Sequence, residues 1–459
     1  MPHFSPTDLA RWSGSAWQHA PTALITGVSI NTQTLQRGDL FFALQGTKAD
    51  GHDFATDALA RGAAGAVVNR KFAKKNPTLP LLVVTEPAEA LRAIGAGYRA
   101  TLKTKFIAIT GSVGKTTVKE MTADLLATVG PTARSHGNFN NDLGLPLSLL
   151  AVEPDAQFGV FELGMNHPGE LAPLCKLLKP SIGIVTMVGP VHFEFFDSVQ
   201  AIAEEKAEVL RCLPKDGLAI LDADGDWFDL LRNAAKCRLV TMALKVAADY
   251  TAQIVPKLNG AFTVTERATG ESVMLQNSIP GAHNIRNALL AVAAARAQLA
   301  AWENIRAALT AFRLVGLRWQ RSEWHGATII NDAYNASPPS MAAALRTFME
   351  MPADGQPWLV LGGMLELGAA SEDLHNELGH FVAGLKDVRL ITVGELGAWI
   401  AAGAFEAGMT ADKIELCEDC CAAAEILRAR LQAGDTVLLK ASRGEKLERV
   451  IEGLTKEPV

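Results

Sequence analysis

A glycine-rich turn followed by Lys-Thr-Thr is the strongest chemical signal in this sequence. Residues 110–117 read Thr-Gly-Ser-Val-Gly-Lys-Thr-Thr and connect an apolar stretch to a segment with helical spacing. Glycines let consecutive backbone N–H groups point into one concavity, and a helix N-terminus adds partial positive charge. We therefore expect a phosphate loop, in which Lys115 reaches the β- and γ-phosphates and Thr116 holds Mg²⁺. The residues expected to bind the nucleotide here are Thr110, Gly111, Ser112, Val113, Gly114, Lys115 and Thr116.

This loop is a variant, because Ile109 stands where the general pattern has a further glycine. Phosphate loops serve several reactions. The sequence has no Asn-Lys-x-Asp motif, which argues against a guanine-specific GTPase. A motor ATPase and a small-molecule kinase both stay open on the loop alone. Residues 218–222, which end in Asp222, fit a motor-type Walker B strand or an ordinary buried strand.

Further chemically able side chains follow the neighbouring strands. Glu162 ends an apolar strand, and a carboxylate at the carboxyl end of a parallel strand is well placed to bind metal near phosphates. His192 follows the next strand, and Lys206 comes fourteen residues later. Each also has a structural explanation. A lone histidine is usually structural, and the charged residues at 205–208 fit one solvated helix face.

The elements that position these residues alternate along the chain. Apolar strands are expected near 40–44, 66–68 and 81–84, and then a helix is expected to begin at 87. Strands at 106–109, 158–161, 182–185 and 218–221, separated by helical patterns, predict a parallel sheet with helices on both faces. Residues 250–280 predict a small antiparallel insertion. Strands at 328–330, 358–361, 389–393 and 436–439 predict a second, doubly wound Rossmann-like unit.

This pattern predicts an α/β protein of three domains, at 1–84, 85–316 and 317–459. The 459 residues are 49% hydrophobic and 20% charged, as in a soluble globular protein. Lys and Arg number 43 against 49 Asp and Glu, so the net charge of −6 argues against nucleic acid as a partner. No signal peptide and no apolar run of about 18 residues is visible, which predicts a cytoplasmic protein without membrane insertion.

Several motifs occur together in one order, and this order resembles that of the Mur ligases. The motifs are 110–117, 137–141, 162–170, His192 with Lys206, 280–287, 331–336, 364–368 and 440–443. The resemblance covers nearly the whole chain. Within the family, 166–170 and the last three motifs are most similar to the enzymes that add D-alanyl-D-alanine to UDP-N-acetylmuramoyl-tripeptide.

The resemblance implies an ATP-dependent amide ligase of cytoplasmic peptidoglycan precursor synthesis that works through an acyl phosphate. It implies one domain each for the uridine nucleotide, for ATP and for the incoming dipeptide. The implied catalytic residues are Lys115, Glu162, His192, Lys206, Arg318 and Asp332. Arg318 and Asp332 would meet the nucleotide when the domains close, and Asn284 and Asn287 would lie near adenine. The implied substrate residues are Ser29, Asn31, Thr32, Gly46, His52, Asn140, Asn141, Tyr334, Asn335, Ser442 and Arg443.

The resemblance also implies a metal site with two Mg²⁺ ions, held by Thr116, Glu162, His192 and Lys206. A free ammonium at Lys206 would repel Mg²⁺, which prefers oxygen ligands. Lys206 matches the family's carbamylated lysine, and carbamylation would turn this cation into an anion with two oxygens.

The sequence departs from the family pattern at three places. Gln33 stands where the uridine motif has arginine, so hydrogen bonding is kept and the cation is lost. The hinge reads Gly316-Leu317-Arg318 instead of Pro-Gly-Arg. Gly363 replaces an aspartate before Met364.

Other functions remain open at this point. The nearest alternatives are the family member that adds the third amino acid and a folylpolyglutamate synthase-like ligase. A different class is a P-loop motor or binding ATPase, which would turn over ATP without either ligase substrate. We expect the chain to be a monomer.

Overall fold

Three β-sheets organise the chain, and each is formed by consecutive strands. The computed structural model describes residues 2–47, 49–191, 193–256, 258, 260–314, 316–352 and 354–455. Helices cover the sheets, which confirms the expected α/β class.

The first sheet has five strands in the order β1-β5-β4-β3-β2. They are β1 (Ala16–Trp17), β2 (Gly27–Ser29), β3 (Asp39–Phe42), β4 (Gly65–Asn69) and β5 (Leu81–Val84). Neighbours are parallel except β1, which runs antiparallel to β5. The helices of this part are α1 (Pro6–Ser13), α2 (Ala55–Ala60), α3 (Arg70–Lys75) and α4 (Pro87–Arg99). Strands β3, β4 and β5 confirm the three strands expected here.

The central sheet has nine strands in the order β14-β13-β12-β11-β10-β9-β6-β8-β7. They are β6 (Lys105–Thr110), β7 (Thr132–Arg134), β8 (Phe158–Glu162), β9 (Ile182–Val185), β10 (Leu218–Asp222), β11 (Arg238–Ala243), β12 (Tyr250–Ile254), β13 (Ala261–Glu266) and β14 (Ser272–Gln276). The pairs from β7 to β12 are parallel, and the two pairs that join β12, β13 and β14 are antiparallel. The expected antiparallel insertion therefore extends the central sheet, because β12 pairs with β11.

Seven α-helices accompany the central sheet within the described residues. They are α5 (Lys115–Ala127), α6 (Gly144–Leu150), α7 (Leu171–Leu178), α8 (Val199–Arg211), α9 (Phe228–Ala234), α10 (Ala282–Arg296) and α11 (Trp302–Ala311). Strands β6 and β8 to β10 are almost entirely buried, which accounts for their nearly continuous apolar sequences.

The third sheet has six strands in the order β15-β16-β20-β17-β18-β19. They are β15 (Gln320–Trp324), β16 (Ala327–Asn331), β17 (Pro357–Leu361), β18 (Arg389–Val393), β19 (Ile414–Cys417) and β20 (Thr436–Lys440). All neighbours are parallel except β15, which forms a hairpin with β16. The helices are α12 (Pro338–Met349), α13 (Ser371–Ala383), α14 (Gly394–Glu406), α15 (Cys420–Arg430) and α16 (Arg449–Thr455). This is the expected doubly wound unit.

One apolar core joins the first two sheets. Helix α4 begins with Pro87 and buries Leu91, Ile94 and Tyr98 on one face, as its spacing predicts. Phe4 packs edge-on against Tyr98 with ring centroids 5.0 Å apart, and both belong to a cluster that includes residues of the central sheet. The third sheet has a separate buried cluster on each face. Within the described ranges, no helix combines the length and apolarity that a membrane span requires.

Candidate active site

The phosphate loop connects β6 to α5 and is fixed against the segment that follows β9. Ser112 N–H donates to the Met187 carbonyl over 2.6 Å, and the Thr186 hydroxyl donates to the Val113 carbonyl over 2.6 Å. Two glycines allow this close approach. A Cβ on Gly111 would lie 1.9 Å from Thr186 Oγ1, and a Cβ on Gly114 would lie 2.5 Å from Asn287 Oδ1.

Gly114 is the N-cap of α5 and has a φ of 90°, a left-handed conformation that favours glycine. The first four N–H groups of a helix have no intrahelical partner, so they can bind an anion placed above the loop. This geometry fits a nucleotide phosphate.

Lys115 extends over this loop. Its ammonium donates to the Gly111 carbonyl over 2.8 Å and to the Ser112 carbonyl over 3.3 Å. Burial lowers the pKa of Lys115, Glu162 opposes this effect, and nearby Arg318 adds to it. Lys115, at the start of α5, and Arg318, just before β15, thus lie at the same cavity. Two basic side chains suit a triphosphate, which carries several negative charges.

Glu162 lies at the end of β8 with both carboxylate oxygens in use. Thr116 Oγ1 donates to Oε2 over 2.6 Å, and the Asn140 amide donates to Oε1 over 2.9 Å. A carboxylate next to a hydroxyl at a phosphate loop is a suitable oxygen set for Mg²⁺, which completes its shell with phosphate and water. Among the described residues no three His, Cys, Asp or Glu side chains cluster as a metal site. The expected ligand His192 lies outside the described residues.

Lys206 is buried in α8 and is only 2% exposed. Burial lowers its pKa well below the ordinary value, the Lys115 cation lowers it further, and Glu205 acts in the opposite direction. Glu205 accepts N–H bonds from Gly169 and Leu171, each over 2.9 Å. The interpretation of 205–208 as one solvated face is therefore wrong for Lys206, which is enclosed because α8 packs against α7 and the sheet.

The C-terminal candidates form one connected group after β16. The Arg318 guanidinium stacks 3.6 Å from the centroid of the Tyr334 ring. Asp332 Oδ1 accepts from the Trp319 N–H over 3.2 Å, and Asp332 Oδ2 accepts from the Lys440 ammonium over 2.6 Å. Ser442 lies nearby, where its hydroxyl accepts the Leu365 N–H over 2.9 Å.

A cavity of about 910 Å³ brings the central and third sheets together. Sixteen of the expected site residues line it: Ser112, Val113, Gly114, Lys115, Thr116, Asn140, Asn141, Glu162, Asn284, Asn287, Arg318, Asp332, Tyr334, Asn335, Ser442 and Arg443. Thr110, Gly111 and Lys206 are not among the lining residues. Of these, Thr110 is fully buried at the end of β6.

The N-terminal candidates Ser29, Asn31, Thr32, Gly46 and His52 do not line this cavity. Ser29 Oγ accepts the Asn31 N–H over 3.2 Å, which shapes the turn after β2. The buried His52 bonds Asp50 through Nδ1 over 2.7 Å and accepts the Asn69 N–H at Nε2 over 3.0 Å. Both ring nitrogens of His52 therefore form hydrogen bonds within the part of the chain that contains the first sheet.

Sequence reasoning missed two residues of the cavity, His283 and Lys440. His283 begins α10 and lies 3.3 Å from the Thr347 hydroxyl of α12. Burial lowers the pKa of His283 to about 4, with Asp332 opposing and Lys440 adding to the shift. Both residues belong to recognised motifs, but only the fold reveals that they meet Asp332.

Known families and proteins resemble the chain along nearly its whole length. Three family models match: "Mur ligase family, catalytic domain" at residues 24–99, "Mur ligase middle domain" at 109–295 and "Mur ligase, glutamate ligase domain" at 317–443. The UDP-N-acetylmuramoyl-tripeptide–D-alanyl-D-alanine ligase of Bacillus subtilis is 34% identical over 437 residues, which cover 95% of this chain and 94% of that protein. The enzyme of that name from Escherichia coli is also 34% identical, with 94% of each chain covered.

Solved structures agree with these matches. MurF from Acinetobacter baumannii superposes with a TM-score of 0.87 at 28% identity and covers 99% of this chain and 100% of its own. MurF from Thermotoga maritima, solved in complex with ADP, has a TM-score of 0.80 at 26% identity and covers 94% of this chain and 97% of its own. The expected resemblance is confirmed over nearly the whole chain, and the chain belongs to the Mur ligase family.

Proposed function

We propose that this chain is an ATP-dependent ligase that joins D-alanyl-D-alanine to UDP-N-acetylmuramoyl-tripeptide in peptidoglycan precursor synthesis. The B. subtilis and E. coli relatives bear this activity in their names and align with nearly the whole chain. The MurF structures share all three parts of the fold. This agreement favours the amide ligase over a motor ATPase.

One observation carries the proposal: the phosphate loop opens into the same cavity as the C-terminal candidates. Lys115 and Thr116 line it from the central sheet, and Tyr334 and Asn335 line it from the third sheet. An activated acid formed beside the loop could therefore meet an amine held by the third sheet without crossing solvent.

The residues around the loop fit ATP with Mg²⁺. The T. maritima MurF was solved with ADP, which supports an adenine nucleotide here, with Asn284 and Asn287 near the base. Thr116 and Glu162 would hold the metal, together with His192 and Lys206. When bound, Mg²⁺ neutralises phosphate charge and so allows an anionic carboxylate to approach.

The chemistry has two steps. A carboxylate oxygen of the tripeptide attacks the γ-phosphorus, ADP leaves, and an acyl phosphate forms. The free amine of D-alanyl-D-alanine then attacks the acyl carbon, and phosphate leaves with the former carboxylate oxygen. Lys115 offsets the repulsion between the two anions in the first step, and Arg318 adds a second cation at the cavity.

We also infer that Lys206 is carbamylated. Its lowered pKa favours the neutral amine, and it is the neutral amine that attacks CO₂, so that a C–N bond forms and a proton is lost. The nearby Lys115 cation disfavours an ammonium at this position and favours a carbamate anion. A carbamate would also give the metal site oxygen ligands, which Mg²⁺ prefers.

The first unit would bind the uridine nucleotide through Ser29, Asn31 and Thr32, with Gly46 and His52 nearby. Gln33 supplies a neutral amide at the position where the family has arginine, so hydrogen bonds replace an ion pair with phosphate. We also propose that the domain boundaries lie at 84 and 316, and that the protein is a cytoplasmic monomer.

A phosphate-release assay tests the function. The purified chain is incubated with ATP and Mg²⁺, with and without D-alanyl-D-alanine and UDP-N-acetylmuramoyl-tripeptide, in versions that carry diaminopimelate or lysine. We expect sustained phosphate release only when both the dipeptide and one tripeptide are present, with a new amide product by mass spectrometry. Strong ATP turnover with neither substrate would favour the motor ATPase and contradict the proposal.

A further inference from the structure

A buried ammonium lies at the end of β20, beside the cavity. Lys440 is only 3% exposed, and its Nζ lies 2.6 Å from Asp332 Oδ2 and 3.1 Å from the Asn335 carbonyl oxygen. Burying a charge is costly unless it is paired and hydrogen-bonded, and both contacts help to offset the cost of burying the Lys440 side chain.

Strand pairing places Lys440 and Asp332 at the same edge of the third sheet. Strands β16 and β20 are parallel neighbours, with Asn331 opposite Leu439. The Asp332 N–H continues this ladder by donating to the Leu439 carbonyl over 2.9 Å. The backbone thus brings the two side chains together, and both line the cavity.

The Lys440 contacts connect, directly or through neighbouring residues, to four expected C-terminal site residues: Arg318, Asp332, Tyr334 and Asn335. Asp332 accepts the N–H of Trp319, the residue next to Arg318. Tyr334 N–H donates to the Leu317 carbonyl over 3.0 Å, and the Tyr334 ring stacks on Arg318. The Tyr334 ring therefore holds the Arg318 side chain, and Asp332 holds the backbone of the next residue, Trp319.

We propose that Lys440 is a positioning residue that fixes Asp332 and the turn at 334–335, and through them Arg318, before substrates bind. The proposal rests on the ligase function inferred above. Without the Lys440 cation, the partly buried Asp332 carboxylate would lose its ion pair and would turn toward water or the bound nucleotide. The turn at 334–335 would lose the donor to the Asn335 carbonyl at the same time.

A direct role is the competing explanation, because Lys440 lines the cavity and could itself touch a phosphate. A double-mutant comparison separates the two roles. If Lys440 acts through Asp332, a chain that carries both Lys440→Gln and Asp332→Asn loses no more activity than the worse single variant. If Lys440 binds substrate independently, the two losses multiply.

We expect Lys440→Gln to lower kcat/KM for D-alanyl-D-alanine by about 10- to 100-fold, because small displacements of positioning groups are costly. We expect the affinity for ATP alone, measured without the other two substrates, to change by less than about 3-fold, because separate contacts hold the phosphate loop and Arg318 and Asp332 meet the nucleotide only on closure. Lys440→Arg, which keeps the cation, should restore part of the activity. The matched control is Glu415→Gln, which breaks the ion pair with Arg430 elsewhere on the same sheet and should leave kcat/KM unchanged.

Hydrogen–deuterium exchange provides a readout that needs no activity. Lys440→Gln should speed exchange at 316–320 and 332–336 and leave 110–117 unchanged. Multiplying losses in the double variant, or unchanged exchange in both segments, would overturn the proposal.

If the wild-type chain lacks ligase activity, the proposed function fails, and the exchange result alone still decides whether Lys440 positions these segments. If Lys440→Gln fails to fold, Asp332→Asn breaks the same ion pair from the other side: faster exchange at 316–320 and 334–336 then supports the proposal, and exchange equal to wild type overturns it.

Discussion

Lys206 illustrates how the surroundings of one side chain decide its chemistry. An exposed lysine would be a solvated cation, but Lys206 is enclosed in α8 near a second cation, and its pKa is lowered. A neutral buried amine is a nucleophile, and the carbamylation proposed above would convert it into an anion that Lys115 attracts.

We predict that Lys206→Ala abolishes ligase activity and that a small carboxylic acid such as formate restores part of it. The reason is that the missing function is an oxygen ligand with negative charge, which a free carboxylate can replace. The measurement is phosphate release at increasing formate concentration, with Lys176→Ala in the exposed part of α7 as control. Full activity of Lys206→Ala without formate would remove the carbamate from the mechanism.

His283 provides a pH test at the contact between α10 and α12. Its pKa is about 4 in the folded chain, mainly because of burial, against an ordinary value of 6.5. The unfolded chain binds a proton below pH 6.5 and the folded chain does not, so stability is lost as pH falls from 6.5 toward 4.

We predict that His283→Gln removes this contribution to acid destabilisation. Its Tm should fall less than that of the wild type between pH 7 and pH 4.5, although other groups still titrate in both chains. Thermal melts at several pH values measure the difference, and His325→Gln, at the tip of the β15–β16 hairpin, is the control. Parallel Tm curves for His283→Gln and wild type would show that His283 is not held neutral by the fold.

At the scale of elements, the turn into α5 depends on a backbone that only glycine adopts easily. Gly114 combines a φ of 90° with a position where a Cβ would lie 2.5 Å from Asn287 Oδ1. Gly270 in the β13–β14 hairpin has a φ of 70° and no atom within 4 Å of an added Cβ. Both glycines therefore have a positive φ that disfavours other residues, but an added Cβ would collide with a neighbour only at Gly114.

We predict that Gly114→Ala weakens ATP binding by at least about 10-fold, because the loop must move to relieve the collision and its N–H groups then turn away from phosphate. Gly270→Ala should cost only about 1 kcal/mol of stability from the positive φ and leave ATP affinity unchanged. Calorimetric titration with ATP and Mg²⁺ measures the affinity, and denaturant unfolding measures stability. Equal ATP affinities for both variants would argue against the close approach at Gly114.

Buried strands and the phosphate loop could be predicted from sequence because their signals are local. Continuous apolar runs identify β6 and β8 to β10, and glycines before Lys115 identify the loop. Strand β15 escaped prediction because its sequence, Gln-Arg-Ser-Glu-Trp, has no apolar periodicity and is set by pairing with β16 across a turn at His325 and Gly326. Helix α6 was not predicted because Pro146 interrupts an otherwise apolar run. In the structure all residues of this helix are buried, which stabilises it despite the proline.

Site residues could be predicted where a known motif assigns them a role. They were missed where only the packing of the folded chain shows that they lie at the site. Lys115, Thr116 and Glu162 follow from their motifs, and the structure brings all three to one cavity. Lys440 belongs to the motif at 440–443, but the motif does not assign it a role, and a lysine at the end of an apolar strand usually points to water. Its pairing with Asp332 depends on β20 lying beside β16, although the two residues are 108 positions apart in the sequence.

At the scale of the whole molecule, the cavity lies between the central and third sheets, and the start of α10 approaches α12 closely beside it. A Cβ on Gly281 would lie 2.2 Å from Thr347 Oγ1, so the start of α10 can approach α12 only because this residue is glycine. The first sheet shares one of its apolar clusters with the central sheet, whereas the buried residues of the two clusters of the third sheet all come from the third part of the chain. Such a division suits a reaction that excludes water while an acyl phosphate exists.

The central claim is that the tripeptide carboxylate is activated by direct transfer of the γ-phosphoryl group. It is tested most directly with UDP-N-acetylmuramoyl-tripeptide labelled with ¹⁸O in the reacting carboxylate. After turnover with ATP and D-alanyl-D-alanine, we predict one ¹⁸O atom in each released phosphate by mass spectrometry, because the acyl phosphate breaks at the acyl carbon. Phosphate that carries no label would contradict the claim, since its oxygen would then come from water.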